Sequence, residues 1–408
     1  MHRIERVQQL SAGRWWLIWA FTRAIIVLRA LQHPWTQGDP KYYFAELSTE
    51  SSTALQEYPS VAVWPLRLVF WLSQSNEAAF IVLFSVLCLL FDATFFAILR
   101  RHHAPMLALG FWCAMGVLMP EMLLWRFDII PGVLVGLAAL YLHHHRSQVL
   151  LATAAMMKLW PFALAPAIAG RLHARKTWRN VAVYGTSIAM LGGLTVALGG
   201  IERLLSPLSY QGARGVQIES LAATPLMFAA IIAPDRYSVK YAASKSFEIT
   251  GPGAAVMQHA SSLLMLGCAL LVLIWLGRAL LRGPLPRELN VAWMLLVLLV
   301  LLGANKVFSP QYLWWLAPLL AVALMLRPDG LPRMMTWLCL LCALCTSLVY
   351  PTWYHQIDHV PFDGLPGAIA LVTRNVLLVI LMVPSAMWVL REHRAALPAY
   401  KAIDKTLN

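Results

Sequence analysis

The sequence predicts an all-α protein that crosses a membrane many times, and three observations carry this. Of its 408 residues, 60% are hydrophobic and 12% charged, with mean hydropathy +0.65, whereas a soluble domain carries about a quarter charged residues. Apolar runs near the ~20-residue spanning length recur at 81–99, 263–276, 291–302, 337–350 and 371–390. Basic residues gather between such runs: Arg3/Arg6/Arg14, Arg100/Arg101, the tract from His143 to Arg146, Arg171/Arg175/Lys176/Arg179, Arg278/Arg282/Arg287, Arg327/Arg333 and Arg391/Arg394/Lys401/Lys405.

Those clusters hold 19 of the 32 Lys and Arg. By the positive-inside rule they are cytoplasmic, so most of the formal +13 is a topology signal. No contiguous basic face survives their dispersal, which argues against nucleic-acid binding. One assignment satisfies every cluster, with about 12 membrane helices near 15–31, 78–99, 104–120, 124–142, 147–157, 160–170, 178–199, 253–277, 289–303, 312–326, 333–350 and 367–390. Both termini are then cytoplasmic, and 391–408 is a cytoplasmic tail. The first span has no small-residue cleavage site after it and reads as an anchor. The runs 147–157 and 160–170 are too short to cross alone. They read as a hairpin of short helices broken at Trp160-Pro161, tolerable where buried in protein or lining a cavity. The whole chain, 1–408, is one integral membrane domain.

Two stretches are expected on the outer side, 32–77 and 200–252. In the first, 61–72 resembles a span but contains Pro65 and Arg67, and counting it would turn Arg100/Arg101 outward. It reads as an interfacial helix, with a shorter one at 40–50. The six cysteines, Cys88, Cys113, Cys268, Cys339, Cys342 and Cys345, all fall in apolar runs. They read as small buried packing residues, with no disulfide and no zinc expected. The histidines at 102–103 and 143–145 read as solvated helix ends. Asp92 and Arg374 interrupt apolar runs, and the sequence alone gives neither a role.

The outer residues are unusual. Asp39 lies in a polar loop just past the first span. Lys158 sits between Ala154-Ala155-Met156-Met157 and Leu159-Trp160-Pro161. Lys306 lies in Gly303-Ala304-Asn305-Lys306-Val307-Phe308-Ser309-Pro310, and Glu219 in Gly215-Val216-Gln217-Ile218-Glu219-Ser220. A charge at membrane depth is costly and marks function by default, the bland alternative being an ion pair between helices.

In this order the residues carry a resemblance. Asp39 with Tyr42-Tyr43, Glu57-Tyr58-Pro59, Trp125-Arg126-Phe127-Asp128-Ile129-Ile130-Pro131, Lys158-Leu159-Trp160-Pro161, the Gly215–Ser220 segment, and Asn305-Lys306-Val307-Phe308-Ser309-Pro310-Gln311-Tyr312-Leu313-Trp314-Trp315 are similar to stretches of one family. It is that of the GT-C fold glycosyltransferases dependent on polyprenyl-phosphate sugars, glycosyltransferase family 87, which includes bacterial phosphatidylinositol-mannoside mannosyltransferases. Many relatives carry two prolines after the tyrosine; here Ser60 replaces the second.

The resemblance implies a multi-pass protein of the bacterial plasma (inner) membrane with its active site facing the periplasm. It would move a sugar, mannose before arabinofuranose, from a polyprenyl-phosphate carrier to a hydroxyl of a glycolipid or cell-envelope glycan by one inverting displacement. Asp39 would be the general base. Lys158, Lys306, Arg126 and Arg214 would bind the donor phosphate, with no metal and no cofactor. Tyr312, Gln311, Tyr43 and Glu57 would contact donor or acceptor sugar, and Glu219 and Asp128 would either bind sugar hydroxyls or partner these cations. A lipid or solute transporter also has many spans and buried charges. The absence of an internal repeat and the large outer loop favour the enzyme.

Overall fold

A computed structural model describes residues 12–49, 51, 54–212 and 214–407; of residues 12, 211–212 and 398–407 only the backbone is described. Arg3 and Arg6 of the first basic cluster lie outside the described residues. In chain order the α-helices are α1 Ala12–Leu31, α2 Gly38–Ser48, α3 Ser60–Leu72, α4 Glu77–Arg101, α5 Met106–Leu118, α6 Pro120–Leu124, α7 Ile129–Leu140, α8 His145–Met157, α9 Arg175–Gly212, α10 Thr224–Ile232, α11 Ala254–Arg282, α12 Arg287–Ala304, α13 Leu313–Leu326, α14 Gly330–Ser347 and α15 Pro366–Leu407. Between α10 and α11, β1 (Ser238–Tyr241) and β2 (Phe247–Thr250) form an antiparallel hairpin.

Six helices among the described residues are long and apolar enough to span a bilayer: α4, α9, α11, α12, α14 and α15, with α9 counted to Tyr210, α14 to Thr352 and α15 to Leu397. Shorter apolar helices accompany them at Ser60–Leu72, Met106–Leu118, Ile129–Leu140 and Pro310–Leu326. This is a multi-pass membrane protein, although only half of the twelve expected spans are both long and apolar enough by themselves.

Burial divides the helices into layers. Every residue of α7 is buried, as is nearly all of α13 and most of α12, the behaviour of helices that are apolar all round. Almost nothing of α9 and little of α11 is covered by protein, and their exposed Met190, Leu198, Leu263 and Leu273 suit acyl chains. α7 reaches α13 through Gly132 and Gly136, four residues apart. A β-carbon on Gly132 would fall 2.2 Å from the Trp314 carbonyl oxygen, and one on Gly136 2.4 Å from Pro318 Cβ. Small residues at this spacing are how membrane helices approach closely.

The two intramembrane charges find each other's opposites across the fold. Asp92 accepts from Arg23 Nη2 at 2.5 Å and from Trp19 Nε1 at 2.8 Å, tying α4 to α1. Arg374 of α15 meets Glu219 Oε2 at 2.9 Å.

Several boundaries differ from expectation. Asp39 is in the first turn of α2 and not in a loop. The hairpin at 147–170 breaks at Lys158-Leu159, and its second arm, Trp160–Ile168, is a 3₁₀ helix: Pro161 and Pro166 lack the N–H groups an α-helix would use. The span expected at 124–142 is shorter, with Trp125–Asp128 irregular between α6 and α7. The expected outer stretch 200–252 is not all loop. α9 turns at Gly200 (φ 78°, a conformation glycine tolerates) and continues to Gly212, and the stretch also holds the β-hairpin, so the protein is not purely α. The expected tail at 391–408 continues α15 through Leu407.

Candidate functional site

One large cavity, about 900 Å³, collects most of the residues singled out in the sequence. Asp39, Glu57, Arg126, Lys158, Arg214, Glu219, Lys306, Gln311 and Tyr312 all line it, although they come from segments spread over 274 positions. Asp128 and Tyr43 stand directly behind the wall.

Local structure explains each placement. α2 starts at Gly38-Asp39-Pro40, where the acid suits the positive end of the helix. Its Oδ1 meets Arg126 Nη1 at 3.0 Å, and its Oδ2 accepts a longer bond of 3.3 Å from the Tyr43 hydroxyl one turn on. Tyr43 and Tyr58 share a 3.0 Å hydrogen bond, and the Tyr42 hydroxyl donates to Glu57 Oε1 at 2.7 Å. Arg126, in the irregular turn before α7, also donates to Tyr350 Oη at 3.1 Å. Removal from bulk water pushes the Asp39 carboxyl above the usual carboxylate range, and the Arg126 charge only partly opposes this.

Lys158 is in extended conformation at the end of α8. Its Nζ lies 2.5 Å from Asp128 Oδ1, which also accepts from Trp315 Nε1 at 2.6 Å. The ammonium is 5.2 Å from the ring centres of both Tyr312 and Trp315, within cation–π range. Trp315 stacks on Tyr312 at 3.9 Å on one side and on Trp160 at 4.9 Å on the other.

The segments at 215–220 and 305–310 hold each other. Gln217 N donates to the Lys306 carbonyl at 3.0 Å, and Phe308 N donates to Gln217 Oε1 at 3.0 Å. The 216–218 segment also bridges to the hairpin, through Ile218 N to Phe247 O and Ile249 N to Val216 O, both 3.0 Å. Arg374 and Asn375 clamp Glu219 from α15, with Arg374 Nη2 also donating to the Glu219 carbonyl. The Lys306 loop is therefore set by a buried chain running from Arg374 through Glu219 and Gln217.

Several expected roles change on this geometry. Glu219 is fully engaged by Arg374 and Gln217, and its environment is that of a buried structural partner. Arg126 and Lys158 each hold a carboxylate, so neither offers the unopposed charge expected of a phosphate binder. Arg214 donates to Ser244 O and Ser246 Oγ at 3.2 Å and lies over Tyr210, anchoring the hairpin turn. Gln311 Oε1 is taken by Ser309 Oγ at 2.8 Å.

The structure adds residues that sequence reading passed over. Lys245, at the hairpin tip, lines the cavity with Ser244 and Ser246, and its Nζ is 5.5 Å from the Tyr42 ring. Tyr210, Tyr241, Tyr350 and Tyr354 supply further walls. Charge settles what the cavity favours. Five lining cations (Arg126, Lys158, Arg214, Lys245, Lys306) face three carboxylates (Asp39, Glu57, Glu219), two positive charges in excess. Behind the wall Asp128 and Arg374 cancel, and Glu248, which accepts from Ser244 Oγ at 2.5 Å, lowers the excess to one. Met265, Leu266 and Ala269 of α11 with Leu301 and Ala304 of α12 give the lining an apolar stretch, beside Ser261 and Ser262. Comparison of the chain with protein-family models, with curated proteins and with solved structures finds no match.

Proposed function

We propose that this protein is a membrane glycosyltransferase that takes a sugar, mannose in the first instance, from a polyprenyl-phosphate carrier and transfers it to a hydroxyl of a glycolipid or envelope glycan. The observation that carries the reading is the make-up of the cavity. It joins carboxylate oxygens with room to accept a proton, an excess of positive charge, and an apolar stretch of lining from membrane-spanning helices. A lipid-linked sugar phosphate has the matching parts: a hydroxylated ring, an anion and an isoprenoid tail.

In this reading Arg126 fixes Asp39 through Oδ1, while Oδ2, holding only the long Tyr43 bond, takes the proton of the acceptor hydroxyl. The acceptor oxygen forms its bond to the anomeric carbon as the bond from that carbon to the phosphate oxygen breaks, inverting the centre. The phosphate leaves as the anion, and positive groups fixed where charge develops favour that step. Lys306 and Lys245 are assigned to it, with Arg214 holding the hairpin turn that carries Lys245; Lys158, held by Asp128 near the Tyr312 and Trp315 rings, bounds the sugar pocket. The site is assigned to the outer face of the bacterial inner membrane, since the clusters of Lys and Arg fall at the other ends of the helices.

The test is transfer of radiolabelled mannose by the purified chain. Polyprenyl-phosphate mannose should support it with a glycolipid extract as acceptor, in the presence of a chelator. Transfer that depends on a nucleotide sugar without any lipid carrier would reject the donor class. Downhill flux of a lipid or solute across proteoliposomes without transfer would favour a transporter.

A further inference from the structure

The opposite end of α8 carries a second, smaller cavity that the glycosyl-transfer reading does not use. It measures about 90 Å³ and is lined by the α7–α8 turn at Leu142 and His143, by Gln148, by the end of the 3₁₀ segment at 167–170, and by Lys176, Thr177 and Asn180 in the first turns of α9. Thirteen residues of α8 separate it from Lys158, about 20 Å at 1.5 Å per residue.

Four features converge there. First, α9 begins at Arg175, and the preceding Ala174 has no polar side chain to cap its leading N–H groups. Second, the Thr177 side chain is 3% exposed and faces the cavity, and among the described residues its hydroxyl has no hydrogen-bond partner. Gly170 leaves the space: a β-carbon there would fall 2.9 Å from Thr177 Oγ1. Third, none of the lining residues is acidic, while Lys176 lines the cavity and Arg287 stands close by. Desolvation of the ring, then the Lys176 and Arg287 charges, hold the His143 imidazole below its usual range, and the Glu288 carboxylate that answers Arg287 is not part of the lining. The Arg287 Nε is itself buried without a partner among the described residues. Fourth, the apolar side chains of Leu172 and Trp178 flank the cavity in sequence and are exposed, and Trp178 Nε1 donates to the Leu172 carbonyl at 2.8 Å. An exposed tryptophan at a helix end marks the level of lipid headgroups.

Helix N-terminal amides with a hydroxyl and a lysine form an oxyanion site, and basic pockets between membrane helices take anionic headgroups. We propose that this cavity binds the phosphate of an anionic phospholipid, with the acyl chains lying along Leu172 and Trp178. The cavity has room for a phosphate group. This inference is independent of the glycosyl-transfer reading.

The test uses the delipidated full chain in detergent, titrated separately with phosphatidylglycerol, phosphatidylcholine and inorganic phosphate, and read by native mass spectrometry and thermal unfolding. Phosphatidylglycerol should bind and raise the melting temperature. Thr177→Val and Lys176→Gln together should weaken that binding about tenfold, the scale of losing charge-assisted hydrogen bonds. If the double variant folds poorly, Lys176→Gln alone serves, because that side chain is on the surface. Equal phosphatidylglycerol binding by parent and variant would overturn the site. Equal binding of phosphatidylcholine would overturn its charge selectivity, and equal protection by inorganic phosphate would overturn the lipid as its source.

Discussion

At the scale of single residues, Asp39 decides the chemistry. A carboxylate that works as a base must be ionised, and burial raises this one above the ordinary carboxylate range. The acid limb of the pH–rate profile should therefore lie above that of a solvated aspartate (~3.9), with turnover lost as pH falls through it. Asp39→Asn keeps size and hydrogen-bonding reach but cannot take the proton. Turnover should fall by ~10²–10⁴-fold with binding of polyprenyl phosphate retained. Near-normal turnover in that variant would move the base elsewhere, with Glu57 the next carboxylate on the wall. Lys306→Met addresses the anion. It should weaken binding of polyprenyl phosphate lacking any sugar while leaving thermal stability unchanged, and the reverse pattern would make Lys306 a structural residue.

At the scale of elements, the α7–α13 contact and the Arg374–Glu219 clamp set the geometry of the cavity. Replacing Gly132 by alanine gains about 1 kcal/mol of helix propensity. The added methyl, however, meets the backbone oxygen of Trp314, which has no rotamer to move away by. Overpacking costs typically about 1–3 kcal/mol, so Gly132→Ala should lower the melting temperature, and an unchanged or raised value would count against the close contact. Arg374→Met leaves the Glu219 carboxylate buried without its partner, a loss of about 3–5 kcal/mol. Glu219→Gln combined with Arg374→Met should recover part of it in denaturation experiments. Equal stability of the single and double variants would mean that the pair is not coupled. The sequence alone reveals Arg374 only as an interruption of an apolar run, because its partner lies 155 positions away and no local pattern encodes that distance. The same limit hid Lys245, which reaches the cavity because the short hairpin is bridged to the 216–218 segment.

For the whole molecule, the helices and their order were legible because apolar runs and basic clusters are strong, local signals. The segments around Lys158, Gly215–Ser220 and Asn305–Trp315 were legible as chemistry because polar groups flanked by apolar sequence are conspicuous, whereas Asp39 stood out by its place in a polar loop after the first span and Trp125–Asp128 by resemblance. The fold brings nearly all of them to one cavity. What sequence could not supply was pairing: which cation answers which carboxylate depends on tertiary neighbours, and that is what changed the reading of Lys158, Arg126 and Glu219. Orientation is a property of the whole chain and can be checked directly. Cysteines at Ser48, in α2, and at Arg146, at the start of α8, are both exposed. They should react with an impermeant thiol reagent from opposite sides of sealed vesicles, and reaction of both from one side would break the topology.

The stack of Trp160, Trp315 and Tyr312 beside Lys158 has a use beyond packing. Two indole rings only 4.9 Å apart and inclined by 12° have strongly coupled transition dipoles, so the cavity wall should give its own signature in near-ultraviolet circular dichroism. A sugar seated against Tyr312 would shift that signal without any label, making occupancy of the site an optical measurement in detergent or in a lipid disc.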